Sequence, residues 1–309
     1  MKSDLSFVKN NLTPTPPKKH FFSFNKRCDG VRVKHSTSMQ RILPFIFRTR
    51  TESLIYSPES MDFTAAREYI KRKNRETPGL GLSSFHLVIA ALVRTIAAYP
   101  YLNRFISGKK LYARNYISFS FVVLKMVDGK TDETHAKIYL QPEDTLRDVM
   151  SKAKDTIDYC RANGEKNDDK LMDFVAKLPS PMISLIVFLV RKLNDWGLLP
   201  KSFIETDPLF TSAFITNLGS IGHGALNHHL YEWGNASLFV TMGRLTKEKI
   251  KEATHKDEEK WNLDMAITID ERIAYGYYLV KGIKYFQYLL NHPEKLELPP
   301  DEVVLDDCI

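Results

Sequence analysis

The chain has 309 residues, 43 % of them hydrophobic and 26 % charged, which excludes a disordered or fibrous protein and leaves room for one large domain or two ordinary ones. Its three cysteines (Cys28, Cys160, Cys308) are too few and too scattered for a disulfide framework, and no Cys-x-x-Cys spacing suggests zinc. The net charge of +7 is uneven: residues 1–50 carry eleven Lys or Arg against Asp4 and Asp29, so the rest is nearly neutral and the overall basicity is no argument for a nucleic-acid partner.

Residues 1–28 form a basic, proline-containing arm with Thr13-Pro14-Thr15-Pro16-Pro17, poor material for a core. No apolar h-region marks a signal peptide, and a cytoplasmic protein is the expectation. The C-terminal Asp-Asp-Cys-Ile lacks the aliphatic pair of a prenylation box. Arg41 to Phe47 reads as a helix broken by Pro44, or a helix followed by extended chain. Leu54 to Phe63 is extended with a break at Pro58, and Thr64 is a candidate cap for a helix from Ala65 to about Asn74. A stronger helix, Phe85 to Tyr99, is capped by Ser83 or Ser84 and ended by Pro100, with His86 as a capping or packing residue.

Strands follow at Lys110–Tyr116, Ile117–Leu124 and His135–Leu140, with Asp128-Gly129 as a hairpin turn. The Thr145-x-x-Asp148 box opens a helix to about Arg161. Two helical stretches, about 170–178 and 182–196, come next. The second holds the apolar run Met182–Val190, too short for a membrane span, which takes roughly 20 residues, and expected to be a buried helix. The other reading of that run is a helix that packs on a partner or rests on a membrane surface. Thr211–Asn217 is a short strand, the loop 222–235 carries His223, His228 and His229, and Ala236–Met242 is β-prone. Adjacent His228 and His229 diverge on a regular strand or helix, which argues against a metal site. Leu245 to about Lys260 is a charged connection. The last long element alternates as a strand through Leu263, Met265, Ile267 and Ile269, turns at Asp270-Glu271-Arg272, and continues as a helix through Leu279, Ile283, Phe286 and Leu290. Gly276 falls where the turn is expected to need steric freedom. Phosphate-loop, dinucleotide and nucleophile-elbow motifs are missing.

Four segments together carry a family pattern: Phe85 to Leu92 running to Tyr99-Pro100-Tyr101-Leu102-Asn103; Phe214-Ile215-Thr216-Asn217-Leu218-Gly219; the strand ending in Met242-Gly243; and the strand–turn–helix 263–296 ending in Asn291-His292-Pro293-Glu294-Lys295-Leu296. In this order they resemble the catalytic domain of 2-oxo acid dehydrogenase acyltransferases (dihydrolipoamide acyltransferases) and, more distantly, chloramphenicol acetyltransferase. The resemblance frames a catalytic domain over 29–298 with a tail over 299–309 and no lipoyl or subunit-binding module. It implies an α/β (α+β) two-layer sandwich with a mixed sheet, a homotrimer with sites between subunits, and coenzyme A or acyl-CoA as a substrate. The acceptor is a thiol (lipoyl-type), amine or hydroxyl; no metal is needed.

In that family a histidine takes the acceptor's proton, an aspartate four residues later fixes the geometry, and a hydroxyl stabilises the oxyanion. Thr216 matches the hydroxyl. The expected Asp-His-x-x-x-Asp-Gly stands here as Asp270-Glu271-Arg272-Ile273-Ala274-Tyr275-Gly276, with Glu271 at the histidine and Tyr275 at the second aspartate. A carboxylate is a weak base for a thiol: the reference values differ by about four units, roughly 6 kcal/mol of driving force. His223, directly after the oxyanion strand, is an alternative base. The candidate site residues are therefore Thr216, Glu271, His223, Asp270 and Tyr275, with a catalytically silent binding or scaffold trimer as the reading of a different class.

Overall fold

The computed structural model describes residues 27–127, 130–163, 175–250 and 258–309. Alternating strands dominate. A six-stranded mixed sheet has the order β2-β9-β8-β7-β5-β6, formed by β2 (Leu54–Asp62), β5 (Ile117–Val127), β6 (Lys130–Leu140), β7 (Ala213–Asn217), β8 (Leu238–Ile250) and β9 (Glu258–Asp270). β5–β7 and β7–β8 are parallel and the other pairs antiparallel. A small antiparallel sheet joins β1 (Gly30–Arg32), β4 (Lys110–Arg114) and β3 (Arg104–Ser107).

Period-two alternation decides which sheet face is covered. Phe119, Phe121, Ala213, Ile215, Leu238, Val240, Met265, Ile267 and Ile269 share one core with the helices on that face. These are α2 (Thr64–Glu76), α3 (Ser84–Ala98), α4 (Leu146–Asn163) and α7 (Gly276–Asn291). Helix α3 is buried from Leu87 to Ala97, so it is apolar nearly all round. Phe214 and Phe239 point to the opposite face, where their rings stack at 5.2 Å against the loop carrying Leu230 and Tyr231. Two layers result, a sheet and its helices, as the family resemblance implied.

Local signals held in several places. Ser83 and His86 form a reciprocal capping box, which assigns His86 a structural role. Thr145 and Asp148 do the same for α4, with Thr145 Oγ1 donating to Asp148 Oδ2 at 2.6 Å. The turn residues Asp128 and Gly129 lie outside the described residues, although β5 and β6 pair up to Val127 and Lys130. Most of the stretch 170–178 lies outside them too.

Five expectations need correction. Helix α1 (Ser38–Ile46) runs through Pro44, which sits near its end with its ring buried. β2 is unbroken at Pro58, because an edge strand can lack a donor on its free side. Phe63, not Thr64, is the N-cap residue of α2. Within the charged stretch 245–260, Leu245–Ile250 and Glu258–Lys260 are not a connection but strand, since β8 and β9 pair through Leu245–Ile250 and Glu258–Leu263, while 251–257 lie outside the described residues. Opposite charges there face each other, as in the Lys247–Glu259 ion pair, and a solvated ladder shows no apolar alternation to read.

The fifth correction concerns α5 (Ser180–Trp196), which has no buried residue. Met182, Leu185, Phe188, Leu189 and Trp196 are all about half exposed or more. An apolar run reports that a face avoids water but not whether its own chain supplies the cover. Helix α6 (Lys201–Thr206) follows after the left-handed Gly197.

Candidate active site

The turn after β9 is built around a buried carboxylate. Asp270 Oδ1 and Oδ2 accept from Arg272 Nε (2.8 Å) and Nη2 (2.7 Å), and Asp270 Oδ1 also accepts from Ser53 Oγ and the Arg272 amide, both at 3.1 Å. Arg272 Nη1 donates to the Phe47 carbonyl at 3.0 Å. Asp270 is fully buried and Arg272 is 3 % exposed. Desolvation on this scale is tolerable because both oxygens of Asp270 and all three guanidinium nitrogens of Arg272 are hydrogen-bonded. Asp270 is thereby a structural anchor of the turn, and the arginine pairs with it rather than with Glu271.

Glu271 is half-buried; its amide donates to the Ser53 carbonyl at 2.9 Å, and its carboxylate has no hydrogen-bond or ion-pair partner among the described residues. Tyr275 is exposed, is the N-cap residue of α7, and contacts the Thr37 hydroxyl. It stands at a helix entrance and does not brace Glu271. Gly276 is the first residue of α7, its φ is not positive, and an added Cβ would meet nothing within 4 Å. The steric freedom expected there is not needed.

Thr216 lies at the far end of β7, with its hydroxyl unpaired among the described residues. It lines a surface hollow with Phe85, Phe121, Val123, Ile157 and Ile221. Close backbone packing follows immediately. A Cβ at Gly219 would overlap the Gly243 carbonyl, and one at Gly243 would overlap the Ala225 amide. This contact, at the irregularity in β8 between Met242 and Leu245, explains why Asn-Leu-Gly and Met-Gly occur together. Asn217 Oδ1 accepts from Ser220 N at 3.3 Å and closes the 3-10 turn.

Strand register separates the two halves. Thr216 pairs with Thr241, which pairs with Ala266. Glu271 lies beyond Asp270, so it is about 14 Å or more along β9 from Ala266, and two strand spacings, about 10 Å, across the sheet from Thr216. One chain cannot place both groups on one reacting carbonyl.

His223 does not bridge that gap. It is exposed, its Nδ1 lies 2.9 Å from the Gly224 carbonyl, and it is not among the residues lining the hollow at Thr216. His228 and His229 do not diverge as the sequence spacing implied: the loop is irregular and their rings stack at 4.7 Å. Among the described residues only Asp306, Asp307 and Cys308 gather three possible metal-ligating atoms, and these already serve Arg104 and Tyr101. Sequence reasoning missed Arg272 and Ser53 as partners of Asp270. The acid–base pair two residues apart in a turn was the available signal for the first; nothing local marks the second.

No protein-family model and no curated protein matches the sequence. Solved structures share the fold. The cubic core of a pyruvate dehydrogenase multienzyme complex superposes with a TM-score of 0.54 at 14 % identity, covering 85 % of this chain and 94 % of that one. A probable dihydrolipoamide acetyltransferase from Listeria monocytogenes 4b F2365 gives 0.54 at 14 %, covering 86 % and 95 %. A chloramphenicol acetyltransferase gives 0.50 at 13 %, covering 84 % and 99 %. The fold is therefore that of the chloramphenicol-acetyltransferase-like acyltransferases, and among the described residues no helix is long and apolar enough to cross a membrane.

Proposed function

We propose that this protein is a coenzyme A-dependent acyltransferase whose site is completed between subunits of a homotrimer. The observation that carries the reading is the placement of Thr216 and Glu271. Both side chains lack an intrachain partner among the described residues, both sit at matching positions of the family pattern, and both are out of each other's reach in one chain. A cyclic oligomer juxtaposes opposite ends of neighbouring subunits through a heterologous interface. The likeness to the cubic core of a pyruvate dehydrogenase multienzyme complex supports an oligomeric arrangement.

In this scheme Glu271 of one subunit takes the proton of an acceptor thiol, amine or hydroxyl as it attacks the thioester carbonyl. Thr216 of the neighbour donates its hydroxyl hydrogen to the oxyanion that forms. Collapse expels the coenzyme A thiolate, which recovers the proton from Glu271. Thr216 has its hydroxyl available without breaking a hydrogen bond, which is what preorganised stabilisation requires.

A second reading has its own observation: a carboxylate occupies the position of the family's histidine, so a trimer that binds without turnover fits the same fold. Titration calorimetry with coenzyme A and acetyl-CoA, followed by thiol-release assays on dithiol, amine and hydroxyl acceptors, separates the two. Binding plus turnover supports the enzyme. Binding without turnover supports the silent trimer, and no binding at millimolar coenzyme A rejects the enzyme.

A further inference from the structure

A second concave site lies behind the Asp270–Arg272 turn, away from Thr216. It is a cavity of about 280 Å³ between the end of α1, the tight turn between β3 and β4, the last turns of α5, and residues 232–234. Five cationic side chains line it: Arg48, Arg50, Lys109, Arg191 and Arg272. The two carboxylates present, Asp195 and Glu232, already accept hydrogen bonds from the Gly108 amide and from the Thr51 amide and hydroxyl. Arg272 is spent on Asp270.

Arg50 is the unexplained group. It is only 7 % exposed, yet among the described residues it has no ion-pair partner. Its Nη2 donates to the Ile106 carbonyl at 3.1 Å, its Nη1 makes a long contact of 3.4 Å with the Tyr231 carbonyl, and its buried Nε has no partner. Burial pulls the guanidinium below its ordinary value, with Asp270 and Glu232 acting against that and Arg272 and Arg114 adding to it. A buried cation without an ion-pair partner is costly, and an anion in the adjoining cavity relieves the cost. Around it Arg48, Lys109 and Arg191 are exposed at the rim, without ion pairs among the described residues. Lys109 is held there by a positive φ of 60° in the two-residue turn and lies 5.1 Å from the Phe45 ring.

We infer that this cavity is an anion site for a phosphate monoester, bound by Arg50 at its base and by Arg48, Lys109 and Arg191 at its rim. With Arg272 balanced by Asp270, the four remaining cations exceed the two lining carboxylates, Asp195 and Glu232, by two, which suits a dianion better than a single carboxylate. Guanidinium forks also match phosphate oxygens in pairs. The volume is at the small end of ligand cavities, about 300 Å³, which suits a phosphate group with a short substituent. This inference is independent of acyl transfer.

The phosphate could be that of a soluble ester or of a lipid headgroup, since Arg191 stands on the helix that exposes Leu185, Leu189 and Trp196. Thermal melts and calorimetry of the full chain with inorganic phosphate, in constant ionic strength set by chloride, test the first source. Co-sedimentation with phosphatidic acid vesicles, against phosphatidylglycerol vesicles of equal charge, tests the second. The expected result is saturable binding of phosphate at about 1 mM or below, or a clear preference for phosphatidic acid. Arg48→Ala and Arg191→Ala, both exposed and not needed for folding, should each weaken it about ten-fold, and Arg50→Met should abolish it. Phosphate and chloride acting alike together with no vesicle preference overturns the inference. Undiminished binding in the Arg48→Ala and Arg191→Ala proteins does the same, whether or not Arg50→Met folds.

Discussion

Asp270 and Arg272, two residues apart, hold each other in a buried fork with contacts of 2.8 and 2.7 Å, and Ser53, just before β2, donates its hydroxyl to the same carboxylate. The turn that carries Glu271 is thus rigid at its foot. Removing one partner leaves the other charge buried and unpaired. Asp270→Asn and Arg272→Met should each lower the unfolding free energy by about 3–5 kcal/mol in urea titrations. The double replacement Asp270→Leu with Arg272→Met should cost clearly less than the sum of the single ones.

Subunit mixing tests the shared site. Glu271→Gln and Thr216→Val should each reduce kcat by roughly 10²-fold or more while leaving melting temperature nearly unchanged. Refolding the two variants together should restore activity to about a quarter of wild type, because a heterologous trimer then forms sites with both groups intact. Recovery no greater than that of either variant alone would place the two groups in separate functions.

Helix α5 behaves as surface despite its composition. Leu185→Gln and Leu189→Gln should each change stability by less than about 0.5 kcal/mol. Leu87→Ala in α3, where the side chain is fully buried, should cost about 2–5 kcal/mol. Paired denaturant curves read the contrast directly.

Lys137 sets a pH dependence. Burial, reinforced by Arg114, brings its ammonium down to about 7, while its Nζ donates to the Ile204 and Asp207 carbonyls. The unfolded chain holds that proton up to about 10.4. Between these values the unfolded state binds more protons, so this group makes stability rise with pH from about 7 to about 10 and penalises the fold below 7. Lys137→Met should remove that slope, so the melting temperature of variant relative to wild type should fall as pH rises from 6 to 10. A constant difference across that range would rule out the titration.

Much of the fold was legible because it rests on short-range rules. Alternation in 263–269 marks a strand with one face buried, the spacing of Leu279, Ile283, Phe286 and Leu290 marks a helix, and Ser83–His86 marks a start. The failures share a cause. Residues 245–250 and 258–260 form strands through cross-strand pairing between remote positions, with Lys247 against Glu259, and α5 is apolar without being covered. Neither partner is visible in a local window.

For the site, the residue types were a matter of sequence: a hydroxyl at 216, a carboxylate at 271, and the anchoring Asp-x-Arg between strand and helix. Where those groups stand was decided by tertiary structure alone. Parallel pairing of β7 with β8 and antiparallel pairing of β8 with β9 send Thr216 and Glu271 to opposite ends of one sheet. The buried setting of Arg50, without an ion-pair partner among the described residues, likewise arises only when segments near 50, 106, 191 and 232 converge. Chain order encodes local propensity, whereas distance across a sheet depends on register and strand direction, and these are set by the packing of remote segments.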